Sequence, residues 1–431
     1  MGFRGSEVQI LSPRPDQSLK LIWVSILNKE CLVCTGCQKE YPLDRVFPRC
    51  DDCFEPLEVK VSSLKNFDKD KISLPENILT HYAPFYSFSK IDRKLSLKEG
   101  FTPLINSNLL SQLLDLDYLY LKNETVNPTW SFKDRGTYVA LQHAISLGYN
   151  CIGTLSSGNM AVSVAAYGAR AGIKTLILVS ADLPEEKINP ILIYEPILIR
   201  VKGDYSQIYY ESLKIGQELG IYFMNSDVPF RVEGSKTIAF EICEQLDYDL
   251  PQYVVIPTSS GGNARGIIKG FLEFFERGLI AELPKIICVQ LEGCAPIYQA
   301  WINNKDKVSP VENPRAIDHA IANPFPPSGN ELLRKLRKYN SIVTTVSDQE
   351  AMQGQRMLAK EGIFAQPAAS VSVAAIWKMR KEGVISKESS CVALVTGAGL
   401  KYTGILEKHK FSVSTSRLEY LKKIIFSKLK D

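Results

Sequence analysis

A lysine at the start of a helix-like segment is the residue in this chain best suited to covalent chemistry. Lys133 follows an Asn-Pro-Thr turn at residues 127–129, and the apolar pattern after it predicts a helix to about Leu147, with Ser131 as its N-cap. A lysine fixed there can form a Schiff base with an aldehyde cofactor if burial or neighbouring charge lowers its proton affinity. The alternative is a solvated lysine paired with Asp134, because most lysines are surface charges.

Downstream, a short apolar strand pattern leads into a polar turn and a helix rich in small residues. The strand pattern covers residues 151–155, the turn contains Ser156 and Ser157, and Asn159 precedes a helix that is expected to end at Gly172. Backbone N–H groups at a helix start bind anions, and an asparagine side chain can donate to an oxyanion there. An ordinary capped helix remains the alternative for this segment alone.

A second strand-to-helix turn carries glycines and hydroxyl groups. A β-rich pattern at residues 253–257 feeds a loop that opens an apolar helix and consists of Ser259, Ser260, Gly261, Gly262 and Asn263. Glycines let main-chain donors approach closely, so this geometry is typical of a phosphate cradle. The spacing matches neither the dinucleotide fingerprint nor a Walker loop. A tight turn explains the glycines but not the serines and the asparagine beside them.

A third strand pattern ends in Thr396 and a glycine-rich turn. Ligands in open α/β sheets lie beyond the carboxyl ends of strands, so Thr396 is well placed to contact one. Strand and helix patterns alternate between about residues 150 and 225, with strands expected at 175–179, 197–201 and 221–225. This alternation predicts a small parallel α/β unit beside a larger α/β domain, with the active site between them.

In this order, the four segments resemble those of the threonine synthase family of pyridoxal-phosphate-dependent enzymes. The resemblance extends from about residue 30 to 405 and includes residues 99–104, 225–237, 290–296, 346–350 and 361–367. It implies an α/β protein with the two-domain tryptophan-synthase-β-like fold (fold type II). The implied large cofactor-binding domain comprises residues 63–149 and 226–411, and the small domain comprises residues 150–225.

The resemblance also implies which residues bind the cofactor. Lys133 matches the lysine that forms the internal aldimine and later moves protons. Asn159 matches the asparagine that hydrogen-bonds the phenolic oxygen, and the loop of residues 259–263 matches the one that holds the cofactor phosphate. Thr396 matches a hydroxyl that faces the pyridine nitrogen. A neutral hydroxyl there moderates the electron sink and favours elimination over transamination.

The substrate site follows from the same resemblance. Ser226 and Arg231 match residues that hold the substrate's own phosphate, to which an arginine offers charge-assisted bonds. We also assign Ser156 and Ser157 to the substrate site. The implied activity is that of a lyase, which converts O-phospho-L-homoserine and water to L-threonine and phosphate by γ-elimination and addition of water at the β-carbon.

The chain departs from the family pattern at five positions. Trp130 replaces a common glycine, Met160 a threonine and Val228 an asparagine. Ala398 replaces a histidine and Tyr402 an aspartate. A large indole beside the lysine is expected to narrow the pocket, and Met160 lacks a hydroxyl for the substrate carboxylate. These departures keep open another pyridoxal-phosphate-dependent β- or γ-replacement or ammonia-lyase reaction, similar to that of threonine dehydratase or cysteate synthase.

Four cysteines near the front of the chain have metal-ligand spacing. Cys34-x-x-Cys37 and Cys50-x-x-Cys53 are separated by twelve residues, which predicts a structural Cys-four zinc site in a ribbon-like module of residues 27–62. Cys31 is a further candidate, although Cys34 completes the better pair. A disulfide is disfavoured, because five other cysteines lie in core-like segments without paired spacing, as expected in a reducing compartment. A zinc-ribbon interaction protein with an inactive catalytic domain is disfavoured by the intact lysine, asparagine and phosphate loop.

Length and composition indicate the number of domains and argue against nucleic-acid and membrane partners. The chain has 431 residues, of which 45% are hydrophobic and 23% charged, so it can build large cores in two or three domains. A net charge of +4 is too small to indicate a nucleic-acid partner. No apolar run approaches the roughly twenty residues that span a bilayer, and no signal peptide opens the chain. We therefore expect a cytoplasmic protein without a membrane partner, and a homodimer, which is usual for this fold.

The two ends of the chain carry separate predictions. Residues 1–20 are rich in proline and polar side chains and are predicted to be a flexible extension. Residues 412–431 are predicted to contain a basic amphipathic helix with Leu418, Leu421, Ile425 and Leu429 on one face. We expect that face to dock on the chain itself or on a partner subunit, because such stripes are more often core than membrane-binding.

Overall fold

The computed structural model describes residues 30–61, 67, 76–156, 158–409, 411 and 413–429. The predicted extension at residues 1–20 and the predicted substrate residue Ser157 lie outside these ranges. Within the described residues the chain forms three sheets. None of the helices in these ranges combines the length and the apolar composition needed to cross a membrane.

The strands of the described residues are β1 (Cys31–Cys34), β2 (Glu40–Tyr41), β3 (Leu57–Lys60), β4 (Leu104–Asn106), β5 (Tyr118–Asn123), β6 (Cys151–Leu155), β7 (Lys174–Ser180), β8 (Ile197–Val201), β9 (Tyr222–Phe223), β10 (Tyr253–Pro257), β11 (Lys285–Leu291), β12 (Ile342–Val346) and β13 (Ser390–Val395). The α-helices in the same ranges are α1 (Ile78–His81), α2 (Asn108–Leu114), α3 (Lys133–Ser146), α4 (Asn159–Ala171), α5 (Glu185–Leu192), α6 (Tyr205–Leu219), α7 (Pro229–Ser235), α8 (Thr237–Gln245), α9 (Gly262–Glu276), α10 (Pro296–Ile302), α11 (Gly329–Lys338), α12 (Asp348–Lys360), α13 (Pro367–Lys381) and α14 (Leu421–Lys428).

The largest sheet has six strands in the order β12-β11-β10-β13-β5-β4. All its pairs are parallel except β4 with β5, which is antiparallel. β10 reads Tyr-Val-Val-Ile-Pro and is buried along its whole length, as expected for a central strand of a parallel sheet whose two faces are covered. The carboxyl ends of the parallel strands therefore meet at one edge, where ligands of open α/β sheets bind.

A second sheet has four parallel strands in the order β8-β7-β6-β9. The strands predicted at residues 175–179 and 197–201 are present as β7 and β8, whereas the one predicted at 221–225 is shortened to β9. Helix α4 packs on β6 and β7 so closely that a Cβ on Gly168 would lie 1.8 Å from the Thr175 hydroxyl oxygen. The small residues that mark this segment in the sequence thus allow the helix to lie against its sheet.

The antiparallel strands β2-β1-β3 form a small sheet that we call the N-terminal ribbon, residues 30–61. Its apolar side chains Leu32, Leu57 and Val59 are buried. They belong to the same hydrophobic core as the helices of the main body. The ribbon is therefore packed onto the rest of the protein through a shared core.

The prediction for the start of α3 is wrong. Ser131 does not cap α3: the helix has Phe132 at its N-cap position without a capping side chain, and the buried Ser131 hydroxyl has no hydrogen-bond partner among the described residues. The reason is tertiary, since the Phe132 N–H donates to the Thr396 carbonyl at 3.1 Å. The C-terminal helix is limited to α14, and Leu418 and Leu429 beside it are 86% and 82% exposed. Docking on the described part of its own chain is therefore not observed, and docking on a partner subunit stays a prediction.

Candidate active site

One cavity of about 640 Å³ lies between the two parallel sheets and is lined by residues from both. Its walls include every predicted cofactor or substrate residue that the structure describes: Lys133, Ser156, Asn159, Ser226, Arg231, Ser259, Ser260, Gly261, Gly262, Asn263 and Thr396. These residues come from segments separated by up to 263 positions, from Lys133 to Thr396. The fold thus brings together the four segments that the sequence singles out.

Lys133 is the first residue of α3 and lines the cavity. Burial, together with the charges of the nearby cations Arg231 and Lys401, lowers the pKa of its amine to about 7. The amine is therefore neutral in a substantial fraction of molecules near neutral pH, which is the state that reacts with an aldehyde or accepts a proton. The Nζ atom lies 4.4 Å from the centre of the Phe132 ring.

The alternative of a surface lysine paired with Asp134 is not what the structure has. Both oxygens of the buried Asp134 carboxylate accept hydrogen bonds from other groups: the Thr129 N–H at 2.7 Å, the Thr129 hydroxyl at 2.6 Å and the Ser163 hydroxyl at 2.6 Å. Burial raises the pKa of Asp134 despite these bonds. Within the described ranges, no carboxylate forms an ion pair with Lys133, so its charge is not stabilised locally.

A buried charge network anchors helix α3. Arg135 donates from Nε to Glu124 at 2.7 Å and from Nη1 to Glu241 on α8 at 2.5 Å, and Lys122 on β5 donates to Glu241 at 2.6 Å. All four side chains are almost completely buried. Removing one partner of such a network costs about 3–5 kcal/mol, because it leaves an uncompensated buried charge. The network therefore fixes the helix that begins with Lys133 relative to β5.

The loop of residues 259–263 joins β10 to α9 and forms one end of the cavity. Gly261 has φ of +90°, a conformation that disfavours a side chain, and a Cβ on Gly262 would lie 2.4 Å from the Ser226 carbonyl oxygen. The first N–H groups of α9 have no partner inside the helix. Both polar atoms of the Asn263 amide are buried without a partner among the described residues. The helix N–H groups and the Asn263 side-chain N–H are therefore donors held in place for an anion that the protein itself does not supply.

Ser328 supports this loop from behind. Its N–H donates to the Ser260 carbonyl at 3.0 Å, and its hydroxyl accepts a 2.9 Å hydrogen bond from Arg265 of α9. Its carbonyl oxygen lies where a Cβ on Gly261 would approach to 3.2 Å. Ser328 and Arg265 are fully buried, so the loop is fixed on its outer side.

Asn159 is the first residue of α4 and is oriented by Gln366, a residue without a role predicted from the sequence. Its side-chain N–H donates to the Gln366 side-chain oxygen at 2.8 Å, and the Gln366 N–H donates to the Gly397 carbonyl at 3.0 Å. Gln366 also lines the cavity. The only sequence signal for it is its place directly before Pro367 at the start of α13, within a segment that resembles the family.

Thr396 directly follows β13, at the carboxyl edge of the large sheet. Its carbonyl accepts the Phe132 N–H, so the end of the strand is tied to the turn before Lys133. Its side chain borders the cavity, as expected for a hydroxyl that contacts a ligand. The observed placement brings Thr396 and Lys133 to the same site.

Arg231 lies on α7 and is buried beside the lysine. Its Nη1 donates to the Thr137 hydroxyl at 2.9 Å, and its Nη2 donates to the Lys133 carbonyl at 3.4 Å. Burial lowers the pKa of Arg231 to about 10, so it remains charged near neutral pH. Ser226 precedes the helix and lines the same cavity. Thr137, which orients the guanidinium, has no distinguishing signal in the sequence.

The sequence also did not predict a role for Lys401, another lysine of the cavity. Lys401 lines the cavity, and its buried Nζ has no hydrogen-bond partner among the described residues. Burial lowers its pKa to about 8, opposed by the charge of Asp134. Together with Lys133 and Arg231, it makes the cavity suited to anionic ligands. Lys401 ends the Thr-Gly-Ala-Gly-Leu-Lys run, but nothing in that run distinguishes it from a surface lysine.

The five departures from the family pattern have different positions. Trp130 does not narrow the pocket: it is 49% exposed and is not among the residues that line the cavity. Its φ of +62° explains why glycine is the usual residue there. Met160 and Tyr402 do line the cavity, and the Lys187 amine lies 4.9 Å from the centre of the Tyr402 ring. Val228 and Ala398 are buried and do not line the cavity.

The four predicted zinc ligands form one cluster. The sulfur atoms of Cys34, Cys37, Cys50 and Cys53 lie within 4.8 Å of one another. Cys34 and Cys53 are 3.3 Å apart, and Cys37 and Cys50 are 3.5 Å apart. Sulfur atoms about 2.3 Å from a tetrahedral zinc are roughly 3.8 Å apart, so the cluster has the size of a Cys-four site. Cys31 is buried but lies outside it.

Comparisons with known proteins agree with this geometry. The family described as pyridoxal-phosphate dependent enzyme matches residues 95–397. The chain is 37% identical to the threonine synthase of Methanocaldococcus jannaschii over 377 residues, which cover 85% of this chain and 92% of that protein. It is 33% identical to the threonine synthase of Methanosarcina acetivorans over 407 residues, which cover 93% and 99%. A solved structure of diaminopropionate ammonia lyase from Escherichia coli matches 73% of this chain and 88% of that one, with a TM-score of 0.63 and 17% identity.

Proposed function

The chain belongs to the threonine synthases within the pyridoxal-phosphate-dependent enzymes, and we propose that its cavity converts O-phospho-L-homoserine and water to L-threonine and phosphate. The observation that carries the proposal is the position of Lys133, Arg231 and the loop of residues 259–263 around one cavity. One amine, one cation and one phosphate cradle are what a phosphorylated amino acid requires of a pyridoxal-phosphate site.

The residues present fit the cofactor. Lys133 is the proposed attachment point, Asn159 the partner of the phenolic oxygen, residues 259–263 the phosphate site and Thr396 the partner of the pyridine nitrogen. The partnerless Asn263 amide and the cleft that a Cβ on Gly262 would fill support this assignment. When bound, pyridoxal phosphate supplies the electron sink that stabilises negative charge on the carbon atoms of the substrate.

The protein contributes bases, cations and fixed positions. A lysine amine with a pKa of about 7 can take the α-proton of the substrate at neutral pH and return it later. Asp134 does not neutralise Lys401 or Arg231 by direct contact, because its oxygens are bound by Thr129 and Ser163. The cations therefore remain available to stabilise anionic groups of the substrate.

The proposed substrate phosphate site consists of Ser226 and Arg231, and Ser156, which also lines the cavity, is proposed as a further substrate residue. Arg231 is held by Thr137 and by the Lys133 carbonyl, so it is fixed before substrate binds. A charged donor fixed in this way can bind the ester phosphate in the substrate and stabilise the departing phosphate as its charge grows. Ser157 belongs to the same proposal and lies outside the described residues.

We propose a structural zinc ion at Cys34, Cys37, Cys50 and Cys53. The N–H groups of Gly36 and Cys37 point to the Cys34 sulfur at 3.3 and 3.4 Å, which favours a thiolate at that position. With four sulfur ligands such a site has no open position for water, so its role is structural. The cluster itself supports the proposal.

Cytoplasmic localisation and a homodimer are part of the same proposal. All ten cysteines lie in the described part of the chain and none forms a disulfide, which is typical of a reducing compartment. The exposed apolar side chains Leu421 and Ile425 of α14 are suited to contact with a partner subunit. The measurement that tests the dimer is the molar mass of the purified protein by light scattering.

The proposed activity is tested by incubating the purified enzyme with O-phospho-L-homoserine, O-phospho-L-serine, L-threonine and L-serine in parallel. We expect phosphate and threonine in equal amounts from the first substrate only. Met160, which stands in the cavity wall where a hydroxyl is usual, favours the second candidate, an ammonia-lyase or replacement reaction. Ammonia from serine or threonine, without turnover of O-phosphohomoserine, would identify that reaction instead.

A further inference from the structure

We propose that Arg49 of the N-terminal ribbon is a positioning residue that holds the two phosphate-binding segments of the cavity in place. These segments are the loop of residues 259–263 and the Ser226 segment, which ends at Arg231. The inference rests on the proposed function, since that function assigns phosphate groups to them. It gives the ribbon a role in the active site, although none of the residues that line the cavity belongs to it.

One nitrogen of Arg49 contacts the Ser226 segment directly and the phosphate loop through the residue before Ser328. Its Nη2 donates to the carboxylate of Asp227, the residue after Ser226, and to the Pro327 carbonyl at 2.8 Å. Pro327 precedes Ser328, whose N–H donates to the Ser260 carbonyl in the phosphate loop. A single guanidinium therefore connects the neighbour of the proposed substrate phosphate residue with the support of the cofactor phosphate loop.

The contact is buried, which makes it rigid. Arg49 and Asp227 are 3% and 0% exposed, and the other oxygen of Asp227 accepts the hydroxyl of Tyr209 on α6. Asp227 thus binds one donor from the ribbon and one from the helices around the smaller sheet. Without Arg49, a carboxylate would be left buried with one neutral donor, which is unfavourable, so the segment is expected to move.

A second line of contacts joins the ribbon to the helix that follows the phosphate loop. On α9, Arg265 donates to the Leu57 carbonyl at 3.4 Å and Lys269 donates to the Val59 carbonyl at 2.5 Å. Both acceptors lie on β3. Strand β3 therefore fixes the position of α9, the helix that begins at the phosphate loop. Arg49 fixes Pro327 and, through it, Ser328, which also contacts the loop. The two sets of contacts come from different parts of the ribbon and act on the same element.

The position of Arg49 in the sequence connects these contacts to the cysteine cluster. Arg49 directly precedes Cys50, and its neighbour on the other side of the turn, Phe54, accepts a hydrogen bond from it at 3.4 Å. A metal ion held by the four cysteines would fix the backbone that carries Arg49. We therefore expect that the cavity binds phosphate groups more tightly when the ribbon is ordered than when it is not.

The test compares Arg49→Ala with a control variant, Lys60→Ala, in the full-length enzyme. Lys60 is a cation of the same ribbon, but its side chain is exposed and pairs with Glu40 of the ribbon at 3.5 Å. For each protein we would measure zinc content, the Kd of pyridoxal phosphate by fluorescence titration of the apoenzyme, and KM and kcat for O-phosphohomoserine.

We expect Arg49→Ala to raise the Kd of pyridoxal phosphate and the KM by about tenfold or more, with zinc content unchanged and a smaller effect on kcat. Lys60→Ala should change both constants less than about twofold. If both cations had only structural roles, both variants would unfold at a lower temperature, and Kd and KM would not change more in Arg49→Ala than in the control. Wild-type Kd and KM in a zinc-replete Arg49→Ala protein would overturn the proposal.

Asp227→Asn provides the second variant if Arg49→Ala does not fold. It removes the charge that Arg49 contacts but keeps the size of the side chain, and we expect the same increases in Kd and KM. Arg49→Lys, which keeps the charge, should recover part of the affinity. Unchanged constants in Asp227→Asn would also contradict the proposal. If wild-type enzyme binds pyridoxal phosphate but releases no phosphate from O-phosphohomoserine, the proposed function fails, and the Kd comparison still decides the role of Arg49.

Discussion

The guanidinium of Arg231 donates a hydrogen bond to the main-chain oxygen of Lys133 at 3.4 Å, so the cation proposed for the substrate phosphate is attached to the residue proposed for catalysis. The same guanidinium lowers the pKa of the lysine amine. One contact therefore fixes the distance between the phosphate site and the base, and also keeps that base partly neutral.

Removal of the guanidinium should weaken substrate binding more than it slows the reaction. We expect Arg231→Ala to raise KM for O-phosphohomoserine by about 10–100-fold, the usual value of a hydrogen bond to a charged group. Steady-state kinetics with inorganic phosphate as a competitor measure this effect. Arg93→Ala is the control, because Arg93 is an exposed arginine that pairs with Glu76 on the surface. A normal KM in the Arg231 variant would remove it from the phosphate site.

The charge of Lys401 should contribute to the pH at which Lys133 reacts, after burial and the charge of Arg231. The rate of pyridoxal phosphate binding to the apoenzyme should rise with pH around a midpoint near 7, because a protonated Lys133 must lose its proton first. Lys401→Met removes a positive neighbour, so the pKa of Lys133 should rise and the midpoint should move to higher pH. Lys401→Arg keeps the charge and should leave the midpoint near 7. Stopped-flow absorbance at a series of pH values measures both, and an unmoved midpoint in the Met variant would contradict this account.

The cradle around Gly262 should not tolerate a methyl group. A Cβ there would lie 2.4 Å from the Ser226 carbonyl oxygen, so the loop or the Ser226 segment must shift. We expect Gly262→Ala to weaken pyridoxal phosphate binding by at least about tenfold. Gly404→Ala is the control, because its Cβ would meet no atom closer than 4.0 Å. Fluorescence titration of the two apoenzymes gives the comparison, and equal affinities would argue against the loop as the phosphate site.

Loss of one cysteine of the cluster should release the metal and destabilise the ribbon. We expect Cys50→Ser to bind less than one zinc ion per chain and to unfold at lower temperature, since metal binding contributes to folding of such modules. Cys31→Ala should retain its zinc, because Cys31 lies outside the cluster. Metal analysis and calorimetry measure the two effects. Stoichiometric zinc in the Cys50 variant would exclude this site.

The fold and the family were predictable because each segment has a strong local signal. A β-rich run, a Ser/Gly loop and an apolar helix occur together at residues 253–276, and the same kind of signal recurs around Asn159. The fold class, the family and the threonine synthase activity predicted from them are confirmed by the comparisons. The roles of the individual site residues stay predictions, although those that the structure describes line one cavity.

Contacts between distant segments were not predictable from local patterns. Asn159 and Gln366 meet only because α4 and the segment before α13 converge, and Lys401 approaches Lys133 only through the folding of the large sheet. The predicted Ser131 cap is absent for the same reason, since the Phe132 N–H in this turn donates to the Thr396 carbonyl. The prediction that Trp130 narrows the pocket is wrong, because proximity to Lys133 in the sequence does not determine where a side chain at positive φ points.

The central claim is that the amine of Lys133 carries a threonine synthase reaction in the cavity. The most direct measurement follows threonine and phosphate released from O-phosphohomoserine by the wild-type enzyme and by Lys133→Ala, both loaded with pyridoxal phosphate. We predict equimolar products from the wild type and a loss of more than about 10³-fold in the variant, with its thermal unfolding still cooperative. Turnover by Lys133→Ala at a rate near that of the wild type would contradict the claim.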